Sequence, residues 1–110
     1  MKVADVGPLL VLKLNAFGGP KGRRLPKDAY DILLAVIGFV DGPAAAIKGF
    51  RAEEAAGNPA YQIATIVLEK DFSQPHQDGP IRAADFLGES SPARDRVRQD
   101  LVTVGRRLLA

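Results

Sequence analysis

Apolar positions in this chain fall into clusters with helical spacing, cut apart by glycine and proline. The first cluster runs from Leu9 to Phe17 and is interrupted only by Lys13 and Asn15 before Gly18-Gly19 ends it. The second, from Ile32 to Val40, is apolar at every position except Gly38. As a helix it would have to be nearly surrounded by protein. Near the C-terminus Val97, Leu101, Val104 and Leu108 recur at intervals of four, three and four residues, which places them on one stripe of a helix. Pro8, Pro26, Pro43, Pro59, Pro80 and Pro92 each stand at the head of a helix-like segment, where the missing N–H costs nothing.

Together these signals predict six helices. The first two cover about 8–17 and 26–40. A third runs from Pro43 through Ile47, Phe50 and Ala55 and stops at Gly57. Asn58-Pro59 opens a fourth through Ile63, Ile66, Val67 and Leu68, with Asn58 as its N-cap. A fifth covers about 80–87 and stops at Gly88, and Ser91-Pro92 caps the last. Residues 2–6 alternate in character and are compatible with one short β-strand. The expected fold is therefore mainly α: a single domain built as a compact bundle of about six short helices, with a short N-terminal strand as an option. Phe39, Phe50, Tyr61 and Phe72 are eleven residues apart, but their surroundings do not repeat, so no internal repeat is read.

Composition narrows the function classes. A chain of 110 residues suits one domain with a modest core. It has no Cys, which excludes disulfides and thiolate metal sites and makes the cytoplasm the default location. With His76 the only histidine, a histidine zinc site is not expected. Lys13 and the Gly-Pro loop keep the best apolar stretch short of the roughly 18 residues a membrane span requires, so no membrane association is expected. The N-terminus does not read as a signal peptide. A net charge of +2 does not by itself announce nucleic acid. Its distribution is more informative, because Lys21, Arg23, Arg24 and Lys27 share one loop and Arg94, Arg96, Arg98, Arg106 and Arg107 lie near the C-terminus.

Candidate chemistry gathers between Lys13 and Asp31. Lys13 sits among apolar neighbours, so its ammonium either follows its stem out to water or meets a carboxylate or a phosphate. Asp28 and Asp31, three apart on one helix face, are available partners. Both acids also have an ordinary reading, since first-turn carboxylates favour the helix dipole and Lys27 can pair with Asp31 four residues on. A Gly-rich basic loop leading into a helix N-terminus suits an anion, although it lacks the Gly-Lys-Ser/Thr ending of a Walker loop. The C-terminal arginines alternate with acids, Arg96 and Asp100 forming an i,i+4 pair, and read as a solvated salt-bridged face or as a phosphate-contacting one. Few aromatic residues are interleaved to stack bases. His76, in a polar connector, should be exposed.

Leu12-Lys13-Leu14-x-Ala16-Phe17, the Arg-containing loop, and Lys27-Asp28-Ala29-Tyr30-Asp31-Ile32 resemble the C-terminal half of nucleotidyltransferase-like proteins of the AbiEii toxin type. The resemblance covers about residues 2–40. It implies that Lys13 holds nucleotide phosphates, that Asp28 or Asp31 is the late acidic residue of a catalytic site, and that Arg23 or Arg24 is the loop's basic contact with Lys27 beside it. Lys27 stands where that family more often has Arg, which loses a bidentate fork. The family's Gly-Ser segment and Asp-x-Asp pair, which hold Mg²⁺ against a nucleoside triphosphate, do not occur ahead of Lys13. Catalysis by this chain alone is therefore not expected. The resemblance implies a protein partner, or a missing N-terminal half, that supplies those acids, with nucleotide or RNA as ligand and with Mg²⁺ and triphosphate bound only in that combination. No metal ligand is assigned to this chain itself. The competing class is a stand-alone helical interaction module, antitoxin-like or structural, whose charges cap helices and pair with one another.

Overall fold

The computed structural model describes residues 6–110, and in that span the backbone forms six helices and no strand. They are α1 (Val6–Gly18), α2 (Pro26–Ile37), α3 (Pro43–Ala55), α4 (Ala60–Asp71), α5 (Asp78–Leu87) and α6 (Arg94–Leu109). The mainly α bundle expected from the apolar periodicity is the architecture found. Residues 2–5 of the candidate strand lie outside the described residues, and Val6 belongs to α1.

The core is organised around α1, which packs against α2, α3 and α4, while α5 joins α2 to α6 and α6 closes against α4. Leu10, Leu14 and Phe17 give α1 its fully buried stripe. Phe17 meets Phe72 edge-on at 5.2 Å, and Phe50 lies 5.0 Å from Tyr61, arrangements that favour aromatic pairs beyond simple burial. The predicted stripe of α6 is intact, with Val97, Leu101, Val104 and Leu108 all buried. Here Gly105 lets the helix press onto the Phe72 backbone, since a Cβ at this position would strike the Phe72 carbonyl oxygen.

Punctuation by proline and glycine sets most boundaries. Pro26 and Pro43 occupy the first turns of α2 and α3. The N-cap position of α4 falls on Pro59 rather than on the expected Asn58, whose side chain nonetheless accepts from the Ala60 amide at 3.0 Å just ahead of the helix. Two helices begin earlier than expected, α1 at Val6 and α5 at Asp78, so Pro8 and Pro80 fall within their first turns. A proline is tolerated throughout that turn, because none of its N–H groups has an intrahelical acceptor.

The expectation for α2 is corrected in two respects. The helix ends at Ile37, where the Gly38 N–H returns to the Leu34 carbonyl at 2.9 Å. Nor is the apolar run surrounded by protein: Ala29, Ile32, Leu33 and Val36 are buried, but Leu34 is 44%, Ile37 46% and Val40 84% exposed. An uninterrupted apolar run hides which face meets the core. Among the described residues no helix is long and apolar enough to cross a membrane.

Candidate functional site

Helices α1 and α2 run antiparallel along a shared seam, with Val6 and Leu9 near Leu34–Val40 at one end and Lys13 beside Asp28 and Asp31 at the other. Lys13 is the only ionisable residue between Val6 and Gly18. It stands one residue off the buried stripe, so its stem is partly covered and its ammonium leaves α1 toward the start of α2. There Nζ donates to Asp31 Oδ2 at 3.1 Å and lies 3.6 Å from Asp28 Oδ1. Lys27 reaches the same Asp31 oxygen at 3.3 Å, the predicted i,i+4 pair. All but Lys27 are half-buried.

The cluster holds two ammonium groups against two carboxylates. The hydrogen bond to Asp31 raises the Lys13 pKa, outweighing the desolvation that would lower it. Desolvation pushes Asp31 upward, but the bonds from Lys13 and Lys27 together hold its carboxyl below the ordinary range. Leu25, the N-cap of α2, offers no side-chain cap, and Asp31, in the second turn, accepts from the two lysines.

Arg24 is placed elsewhere. Its Nη1 bridges Asp71 Oδ1 at 2.8 Å and Asp78 Oδ2 at 3.1 Å, and its guanidinium lies 5.8 Å from the centre of the Phe17 ring. Both acids raise its pKa, with the Asp71 hydrogen bond the largest cause. The expected role as a loop phosphate contact is therefore opposed by two resident carboxylates. Arg23 and Lys21 remain exposed on the loop and have no ion-pair partner among the described residues. Thus Lys13, Lys27, Asp28 and Asp31 converge, Arg23 has no ion-pair partner among the described residues, and Arg24 belongs to a second cluster.

No motif singles out Asp71 or Asp78 in the sequence. Asp71 is 4% exposed, and its Oδ2 has no hydrogen-bond partner. The signal for it was present: Ala64, Val67, Leu68 and Asp71 follow the spacing of one helix face, so an acid at that position faces inward.

The C-terminal arginines are more than a solvated face. Arg94 donates to the Ala84 carbonyl at 2.9 Å and pairs with Asp85 at 3.1 Å, closing the end of α5. Arg98 reaches the Pro75 carbonyl at 3.1 Å and Arg106 the Ser73 carbonyl at 2.9 Å, which fastens the polar connector onto α6. Arg96 keeps the expected surface pair with Asp100 at 3.8 Å. His76 is exposed, as expected.

Chemically, the seam offers one or two ammonium donors to an oxyanion and two carboxylates to a cation. Among the described residues no three acidic or histidine side chains gather as a metal cage would require. Comparison with protein-family models, curated proteins and solved structures returns no match.

Proposed function

We propose that this chain is the phosphate-contacting helical part of an AbiEii-type nucleotidyltransferase-like protein, acting on nucleotide or RNA and not catalytic alone. The observation that carries the reading is a convergence. Lys13 and Asp31 are 18 residues apart, yet their charged atoms are 3.1 Å apart, with Asp28 and Lys27 in the same cluster. These are the polar positions on which the sequence resemblance rests. In this reading Lys13 exchanges a carboxylate for a phosphate oxygen when the ligand arrives, and Lys27 retains Asp31. Asp28 and Asp31 orient the two ammonium groups, and Arg23 adds charge from the loop. Phosphoryl transfer also needs acids that hold Mg²⁺; a protein partner or an N-terminal half supplies them. Calorimetry with a short single-stranded RNA, in the absence of Mg²⁺, tests the site: wild type releases binding heat and Lys13→Ala does not. Equal heats from the two proteins would remove the reading.

The second reading, a helical interaction module without a nucleotide site, is favoured by the other end of the seam. There Val6, Leu9, Leu34, Ala35, Gly38, Phe39 and Val40 line a groove of about 260 Å³. Its occupant would be an amphipathic helix of a partner protein. Such a helix would set its apolar face on Leu34 and Val40, and its polar edge on the mixed-sign Lys13–Asp31 cluster one turn away. Under this reading Lys13→Ala leaves the RNA heats unchanged, and Val40→Asp abolishes partner binding.

A further inference from the structure

The loop between α1 and α2 is tied back onto α1 through its own backbone. Gly22 donates to Gly19 O at 2.8 Å, Arg23 to Ala16 O at 3.2 Å and Arg24 to Phe17 O at 3.0 Å, so the loop folds back over the last turn of α1. The approach is close enough that a Cβ on Gly22 would strike the Phe17 carbonyl. The far end carries two costs. Arg24 adopts φ +52°, the only positive φ at a non-glycine residue among those described, a region L-residues avoid. Asp71 is a charge taken out of water with one oxygen unpartnered, which only a close counter-charge offsets. One atom answers both, since Arg24 Nη1 touches Asp71 at the end of α4 and Asp78 at the start of α5.

We propose that Arg24 is a positioning residue and not a phosphate contact: with Asp71 and Asp78 it clasps the 19–25 loop to α4 and α5, and so fixes Lys21 and Arg23 where an incoming phosphate meets them. The functional half of this inference rests on the phosphate-site reading above; the clasp itself does not. Two carboxylates already hold the guanidinium, so a phosphate could take Arg24 only by uncovering the Asp71 charge. The loop cations without an ion-pair partner among the described residues are then Lys21 and Arg23, on the segment the clasp holds. Residue 24 must also accept its left-handed backbone, which the ion bridge compensates.

Asp71→Asn distinguishes the two roles by the sign of its effect. If Arg24 were a phosphate contact, removing Asp71's charge would free it, add one positive charge and tighten binding of inorganic triphosphate. If Arg24 is a clasp, the same change loosens the loop. Amide exchange at Arg23 and Arg24 should then accelerate tenfold or more relative to the α1 interior, and triphosphate affinity should fall severalfold despite the added charge. Asp78→Asn, at a half-exposed position, gives a second and milder variant if Asp71→Asn does not fold; it should show the same direction at about threefold. Unchanged exchange at both amides, or tighter triphosphate binding, overturns the proposal. The exchange measurement needs no ligand, so a wild-type chain that ignores triphosphate removes the phosphate reading and leaves the clasp to be judged by exchange.

Discussion

Lys13 and Asp31 show what a lone charge in an apolar helix can disclose. A lysine flanked by leucines has few partners within reach, so the acids at the next helix start stand as available counterparts beside water, and the folded chain brings Asp31 to it. Asp71 is harder to read, because its neighbours Lys70 and Glu69 make that stretch look like a solvated helix end, and only the i−3, i−4 and i−7 spacing marks it as inward. The half-buried Lys13–Asp31 pair contributes about 0.5–1 kcal/mol, since solvent still screens it. Lys13→Met should therefore lower stability by roughly that amount in urea unfolding, while removing the ammonium from the cluster. The pH dependence follows from the shift directions. Asp31 titrates lower in the folded chain than unfolded, so its contribution is complete above the unfolded value of about 4 and is lost as pH falls through the folded one. Lys13 titrates higher when folded, so its contribution is complete below about 10.4 and is lost as pH rises through the raised value. The stability difference between wild type and Lys13→Met should be flat from about pH 5 to 9 and shrink on both sides; a difference that grows in acid would contradict the pairing.

At the scale of elements, the helices were legible because proline and glycine act through the backbone, whatever the tertiary context. Boundaries slipped where a proline inside a first turn looks the same as one at its head, as with Pro8 and Pro80. What no local pattern carried is the work of the α6 arginines, which reach across 23 and 33 residues to the connector carbonyls of Pro75 and Ser73. Those acceptors are backbone atoms, and a backbone acceptor has no residue type to notice. The seat of α6 depends equally on an absent side chain. Gly105→Ala adds a methyl where the Phe72 carbonyl and Cβ already stand, so α6 must shift on its stripe, at a cost of about 1–3 kcal/mol. Helix propensity alone would favour alanine over glycine by up to about 1 kcal/mol. A stabilised Gly105→Ala protein in denaturant titration would therefore show that α6 does not press on Phe72.

For the whole molecule, the architecture was readable and the solvent boundary was not. Apolar spacing reports which residues prefer burial, and this bundle leaves several such residues outside, among them Leu12, Leu34, Val40 and Ile66. Val36 and Val40 make the contrast measurable: they have the same side chain and lie four residues apart in one apolar run, yet Val36 is 0% and Val40 84% exposed. Val36→Asp places an unpaired carboxylate in the core, a change costing several kcal/mol that should unfold the chain or shift its thermal midpoint far downward. Val40→Asp removes no packed contact and should stay within about 0.5 kcal/mol of wild type. With the isolated chain at low concentration, the two variants should separate completely in thermal unfolding. If both lose stability equally, Val40 is covered in solution, and a repeat at tenfold dilution identifies the cover. A wild-type midpoint that falls on dilution means a second copy of the chain sits on the seam, because only an intermolecular contact makes the midpoint depend on concentration. A midpoint that does not move places the cover within the chain itself.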